Sequence, residues 1–512
     1  MQSHTSSTKP VQLLHFVRLT FHAFALYLFA LNTVHATDTL KVGSKRFTES
    51  YILAQIIAQK AAPFTQTQVL QGLGNTAIVF AALRAGSIDV YAEYVGTINQ
   101  EILKNVAPVP LEQLNAQLAP LGFGASIPLG FNNGYALAMS EQTAKRLNIT
   151  SLSDMVLHPE LRLGLSNEFI GREDGWQGLT KRYAFTAKPQ GIDHGLAYDA
   201  IAKQQIDVMD IYTTDAKITH LGLRVLKDDL NYFPRYDAVL LYRLDVPTRF
   251  PQAWQALQTL QGTINEPAMI AMNARAELQS VAFDVIAKDQ LAGSISSKTS
   301  TNGFWSKLVG ADLARLTGQH VGLVVASVVL AALIAIPLAV LISPHEKLRA
   351  LVLGFTGLLQ TVPSLAMLAV LISLLGAIGA LPALIALTLY ALLPIMRNTC
   401  TGLSEVPDGF RQAARALGLN ALQSMWHIEL PIALPTLMAG VRTATVIAVG
   451  TATIAAFIGA GGYGERIVTG LALNDRELLL AGALPAAAFA LLCEGTFEMI
   501  ERVIKKRRGT SR

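Results

Sequence analysis

Cysteine is almost missing from this chain: there are two in 512 residues, Cys400 and Cys493, both in or beside apolar segments. The long polar region that precedes them has no thiol, which excludes a disulfide framework or a cysteine-ligated zinc there. Charge is also scarce. Asp, Glu, Lys and Arg make up 15% of the residues and the mean hydropathy is +0.39, too apolar for a wholly soluble protein, so part of the chain belongs in lipid. No G-x-x-x-x-G-K-[ST] phosphate loop occurs, and ATP hydrolysis by this chain is not expected. There is no G-x-S-x-G elbow and no H-E-x-x-H helix, and the ten histidines show no metal-ligand spacing. His158, His194 and His220 read as solvated or structural. No catalytic set, metal or bound cofactor is expected.

The formal charge is +5, but the basic excess includes Lys505, Lys506, Arg507, Arg508 and Arg512 at the extreme C terminus. That placement marks a cytoplasmic membrane flank rather than a nucleic-acid surface. At the other end, Arg18 precedes an apolar core over 21–31, and Val34, His35 and Ala36 supply small or compact residues at a cleavage position. Residues 1–36 read as a secretory signal peptide or an uncleaved anchor, because the core is short for a span of about 20 residues.

From 37 to 300 the polarity is mixed. Strand-like runs such as LKVGS (40–44) and IDVMDIY (206–212) alternate with amphipathic helical runs such as 51–62, the pattern of parallel α/β units. A Gly/Ser/Thr-rich stretch, 293–303, reads as a tether, and residues 301–311 link this domain to a permease-like region at 312–504. That region holds apolar runs at 318–342, 351–375, 381–396, 432–458 and 478–492. Five spans carry a chain from outside to inside. Lys347 and Arg349 follow the first run, Arg397, Arg411 and Arg415 the third, and the basic tail 505–512 the fifth, while the turns after the second and fourth carry no basic excess. The positive-inside rule then puts the polar domain outside the cytoplasm of a bacterial inner membrane.

Between the third and fourth runs lies QAARALGLNALQSMWHIELP (412–431). Gly418 can end a short helix in the left-handed conformation, Pro431 and Pro435 disfavour an uninterrupted helix, and Arg411 and Arg415 hold the segment at the membrane surface. The spacing of Ala413 and Ala414, Gly418, Ile428, Leu430 and Pro431 resembles the EAA loop of ABC importer permeases, within a coupling segment of 408–435. The resemblance implies that the loop docks on a separate ATPase subunit, which would hydrolyse the ATP. Gln412 stands where the family usually has Glu, and its amide hydrogen-bonds but offers no charge for a salt bridge.

KVGSKRFTESYILAQIIAQ (41–59) and GLGNTAIVFAALRAGSIDVYAEYVGT (72–97) resemble the substrate-binding proteins of the glycine betaine/choline/carnitine uptake family. FNNGYALAM (131–139), FIGREDGWQGL (169–179), IDVMDIYTTDAKI (206–218) and FPRYDAV (233–239) agree with them. The resemblance implies a two-lobed α/β binding domain of type II, followed by an all-α polytopic permease of about five membrane helices. A trimethylammonium group has no N–H to donate, so aromatic faces are its natural partners. The family's cage tyrosines map onto Tyr91, Tyr135, Tyr212 and Tyr236. Tyr94 is inseparable from Tyr91 at this level, since in a strand the two face opposite ways and one of them enters the cleft. Ser44, Thr48, Asn75, Thr76 and Asn133 are candidate donors to the polar end of a ligand; Arg172 and Arg235 are weaker ones, because a basic group repels a cationic head. Ser50, Ala92 and Val95 depart from the family pattern, as does FPRY in place of FPPY, so the pocket's shape is open. The implied protein is a multi-pass importer subunit for quaternary ammonium solutes, dimeric through its permease and lodged in membrane lipid. Importers of ergothioneine or an amino acid remain alternatives, as does a channel or sensor gated by the binding domain.

Overall fold

The computed structural model describes residues 38–105, 107–293, 303–473 and 475–507. The expected signal peptide, most of the Gly/Ser/Thr-rich stretch and residues 508–512 of the basic tail lie outside the described residues.

Strand β1 (Thr39–Gly43) alternates between half-buried and buried positions until it runs fully inside, and it lies parallel to β3 (Val90–Tyr94), whose five residues are all buried. With β2 (Gln66–Leu70), β4 (Phe123–Ser126) and the late strand β10 (Ala238–Arg243) they form one sheet in the order β2-β1-β3-β10-β4. Between β4 and β10 the chain builds the other sheet from β5 (Tyr135–Ser140), β6 (Leu163–Ser166), β7 (Gln190–Ile192), β8 (Val208–Tyr212) and β9 (Leu223–Val225), in the order β7-β6-β8-β5-β9. The chain thus crosses between lobes twice, at 127–134 and 226–237. This is the type II binding-protein fold.

The sheets are mixed rather than purely parallel. β10 runs antiparallel to both β3 and β4, and β5 antiparallel to β8 and β9. A strand that returns from the other lobe enters its sheet in the reverse sense, and local α/β alternation carries no sign of that. In the first lobe the helix Thr48–Ala61 buries Ile52, Leu53, Ile56 and Ile57, each contributing about 1.5–3 kcal/mol of burial. This seating fixes its first turn, with Thr48 and Glu49, at the interlobe cleft.

Among the described residues, four helices are long and apolar enough to cross a membrane: Leu313–Ile342, Ala380–Ser404, Ala421–Ala452 and Arg476–Val503. The second expected span is instead two helices, Glu346–Thr361 and Ser364–Leu375, bent by 99°. Pro363 is the cause, since it cannot donate to the helix and restricts Val362 before it; the Tyr390 hydroxyl donates to the freed Val362 carbonyl at 2.6 Å. Within the expected connector 301–311, Phe304–Leu308 is a short helix, and Lys307 bonds Asp475 at 2.7 Å.

At the loop end, the helix Asp408–Ala416 stops at Gly418, whose φ is +74°. Asn420 and Gln423 then form a reciprocal cap on the next turn. Pro431 does not interrupt the helix Ala421–Ala452: it follows a π-helical turn, Met425–Glu429, that widens the helix just before it, and Pro435 is accommodated one turn further on. Arg411 holds the elbow by donating to Glu429 at 3.1 Å and to the Leu403 carbonyl at 2.6 Å. Gln412 and Ala413 are exposed and Ala414 is buried against the elbow, while Phe410, Leu417, Leu422 and Trp426 stand more than half exposed. The binding domain packs at the other end of the permease, where Leu73 abuts Gly459. At about 1.5 Å per residue the 23-residue helix Leu430–Ala452 separates the two ends by roughly 34 Å.

Candidate functional site

Where the lobes meet, Lys45, Phe47, Tyr94 and Thr97 of the first lobe face Tyr135, Glu168 and Tyr212 of the second, with Asn133 and Tyr236 supplied by the crossovers. The rings form an arc. Tyr94 lies 6.4 Å from Phe47, Phe47 5.2 Å from Tyr212, Tyr212 5.2 Å from Tyr135, and Tyr135 5.7 Å from Tyr236. The register brings two of these together, since Tyr135 of β5 is the direct partner of Tyr212 of β8. Enclosed between them is a cavity of about 20 Å³.

Two protein cations already rest on rings of the arc. The Lys45 ammonium sits 4.8 Å above the Tyr94 ring and 5.6 Å above Phe47, anchored by the Glu93 carboxylate at 2.5 Å. The Arg172 guanidinium lies 5.1 Å over Tyr135 and is held at 2.6 Å by Asp174, which also accepts from the Tyr236 hydroxyl at 2.7 Å. Arg172 reaches across to Thr97 of the first lobe at 3.3 Å. Its donors are engaged in these contacts, so it is not a free donor to a ligand.

Behind the arc, Glu49 ties the lobes together. Its carboxylate accepts from Tyr94 at 2.5 Å, Thr214 at 2.5 Å, Asn133 at 3.0 Å and Asn273 at 3.4 Å. Burial raises its pKa above the usual carboxylate value, and the four donors pull in the opposite direction. Burial, then the Glu49 charge, push the Tyr94 phenol far up, so it stays protonated and donates.

Three of the four expected tyrosines, Tyr135, Tyr212 and Tyr236, are therefore brought together with Asn133. Tyr91 is not. In β3 the residues alternate, so Val90, Ala92 and Tyr94 pack toward the cleft side while Tyr91 packs with Leu73, Val79 and Leu241 on the opposite face. Tyr94 holds the position that the sequence could not divide between them. Ser44 is buried and accepts from the Gly72 amide at 2.9 Å, which shapes the loop beside the cleft. Asn75 caps the helix Thr76–Arg84, and Thr76 is buried in its first turn. Thr48 and Asn75 line a larger polar chamber next door. Arg235 faces away, its side chain 78% exposed and paired with Asp237 at 2.6 Å. Phe47, Lys45, Glu49, Glu93 and Glu168 were missed by sequence reasoning. The segment 41–59 held the first three in plain view, but burial and interlobe distance are not written in it.

Comparison with known proteins bears on the same two regions. Residues 38–292 match the substrate binding domain of ABC-type glycine betaine transport systems, and residues 327–507 match the inner membrane component of binding-protein-dependent transport systems. An osmoprotectant import permease protein of Salmonella typhimurium is 43% identical over 196 residues, covering 38% of this chain and 91% of the relative. A glycine betaine/carnitine/choline transport system permease protein of Bacillus subtilis is 42% identical over 195 residues, 37% of this chain and 85% of the relative. An ergothioneine transport permease/ergothioneine binding protein of Helicobacter pylori is 33% identical over 281 residues, 52% of this chain. The match spans about half of that relative's length (50%). Among solved structures, a glycine betaine/carnitine/choline ABC transporter aligns at 26% identity with a TM-score of 0.43, over 50% of this chain and 98% of that one. The chain therefore belongs to the glycine betaine/choline/carnitine family of ABC import systems and carries the substrate-binding domain and the permease of such a system on one polypeptide.

Proposed function

We propose that the imported solute is a quaternary ammonium compound of the betaine, choline or carnitine type. The observation that carries this reading is the five-ring arc with protein cations resting over three of its rings, Lys45 over Tyr94 and Phe47 and Arg172 over Tyr135. Ring faces that hold an ammonium and a guanidinium in the interlobe cleft have the electrostatics a trimethylammonium needs, and each desolvated contact contributes about 0.5–2 kcal/mol. The cavity of about 20 Å³ has room for about one water, so ligand entry requires the lobes to part along the Phe47–Tyr212 and Arg172–Thr97 contacts. Asn133 supplies an amide at the crossover edge for a ligand's polar end.

In this reading two copies of the permease pair in the inner membrane, and a separate ATPase grips the two loops 408–435 to drive transport. The chain itself binds no nucleotide. The binding domain stands on the outer face, supported by its packing at Gly459, opposite the basic loop. A second reading, ergothioneine as substrate, is favoured by the Helicobacter pylori relative and keeps the same cation chemistry in a bulkier molecule.

Calorimetric titration of the full chain in nanodiscs with glycine betaine, choline, carnitine, ergothioneine and a plain amino acid tests the proposal. One methylated amine should bind at micromolar Kd or tighter, and Tyr212→Ala or Tyr236→Ala should weaken it by about tenfold, the 1.4 kcal/mol of one desolvated contact. Binding of the amino acid alone would overturn the cation reading.

A further inference from the structure

Beside the aromatic cavity lies a chamber of about 260 Å³. Lys45, Phe47, Glu168 and Tyr212 line both spaces, so the Phe47 and Tyr212 rings, 5.2 Å apart, form part of a common partition. The rest of the chamber is polar and of both signs: Arg46, paired with Asp193 at 3.7 Å, and Lys217 share it with Glu49, Asp215 and Glu277, and His194 is held by Asp215 at 3.0 Å. One wall is not part of the binding domain at all. It is made by Val468, Leu471 and Ala472 of the permease helix Gly464–Leu473.

Both lobes grip this region of the permease. From the first lobe, Gln71 donates to Thr469 at 3.3 Å and the Arg46 guanidinium lies 4.9 Å over the Phe457 ring. From the second, the helix His194–Ala202 presents its amino end to the carboxyl end of Gly464–Leu473, an alignment that helix dipoles favour. The approach is so close that a Cβ on Gly195 would lie 2.8 Å from the Leu471 carbonyl oxygen. Asp199 faces Arg476 at 4.0 Å just beyond.

We propose that this chamber is a transfer site for a quaternary ammonium zwitterion, closed by the chain's own permease helix Gly464–Leu473, through which solute leaving the aromatic cavity reaches the membrane domain. The proposal rests on the reading of the aromatic arc as the solute site. A chamber lined by both signs of charge replaces the hydration of a zwitterion at either end without holding it in a deep well of one sign, which suits passage rather than storage. Because both lobes touch one permease segment, parting of the lobes moves the chamber's walls and its membrane-side closure together.

The test uses the full chain with its ATPase partner in proteoliposomes, and glycine betaine and choline as probes. Leu471→Trp fills the chamber from the permease side. It should lower glycine betaine uptake at least tenfold while Kd on the same preparation moves less than threefold; wild-type uptake by this variant overturns the proposal. In the wild type, glycine betaine should be taken up at least fivefold faster than choline when both saturate the cleft, and equal rates overturn the zwitterion assignment. Should Leu471→Trp lose binding through misfolding, Leu471→Cys in a Cys400→Ser, Cys493→Ser background replaces it. Glycine betaine should slow modification of that cysteine by a small methanethiosulfonate at least fivefold, and an unchanged rate overturns the chamber. If the wild type binds neither probe, the aromatic reading fails by itself, a result distinct from binding with undiminished uptake in Leu471→Trp.

Discussion

The Tyr94 hydroxyl donates to the Glu49 carboxylate at 2.5 Å, and that bond separates two tyrosines that the sequence leaves equivalent. It fixes Tyr94 on the cleft face of β3 and leaves Tyr91 on the face packed with Leu73 and Val79. Tyr94→Ala should therefore weaken solute binding about tenfold or more, whereas Tyr91→Phe should leave Kd within about twofold. Titration of both variants decides it, and equal losses would contradict the strand assignment.

Glu49 serves donors from both lobes, Tyr94 on one side and Thr214 on the other. Glu49→Gln puts an amide N–H where a hydroxyl now donates and leaves a buried donor unsatisfied, at a cost of about 1–3 kcal/mol. The expected outcome is a lower thermal midpoint together with at least tenfold weaker binding. A variant that keeps wild-type affinity would show that the interlobe tie is dispensable for closure.

Gly418 adopts φ +74° with no heavy atom within 4 Å of an added Cβ, so Gly418→Leu meets backbone strain and no steric clash. Strain of about 1–2 kcal/mol should unwind the elbow, and both ATPase co-purification and uptake should drop at least tenfold with solute binding unchanged. Gly418→Asn, which tolerates the left-handed region, should retain most uptake. Equal uptake by the Leu variant and the wild type would remove the turn from coupling.

His194 predicts a pH dependence. Burial by itself would lower its pKa, but Asp215 and Asp210 outweigh burial and hold it at about 10, above the ordinary 6.5. A folded-state pKa above the unfolded one gives stability that is complete below about pH 6.5 and lost as pH rises toward about 10. The thermal midpoint of the full chain in nanodiscs should fall across that window, and His194→Gln should flatten the fall. A slope unchanged in the variant would assign the dependence to other groups.

The broad architecture was legible because it is written in composition and order. Apolar runs, the side on which Lys347, Arg349, Arg411 and Arg415 fall, and the matched spacing from Ala413 to Pro431 need no partner elsewhere in the chain to be read. Local chemistry was legible for the same reason, as with the left-handed turn at Gly418. The 99° break at Pro363 was missed although the proline was visible, because hydropathy averages over the residue that bends the helix.

By itself, then, the sequence determined the two-part design, the family and three of the rings in the arc, Tyr135, Tyr212 and Tyr236, each set in a motif that local residues define. Only the tertiary structure decided that Tyr94 and not Tyr91 enters the cleft, that Lys45 and Arg172 occupy its aromatic faces, and that Glu49 ties together residues as distant in sequence as Tyr94 and Asn273. Those outcomes depend on which strand returns across the lobes and on what each buried charge finds there. A carboxylate such as Glu49 acquires its role from donors that the crossovers bring to it, and no run of neighbouring residues records that meeting.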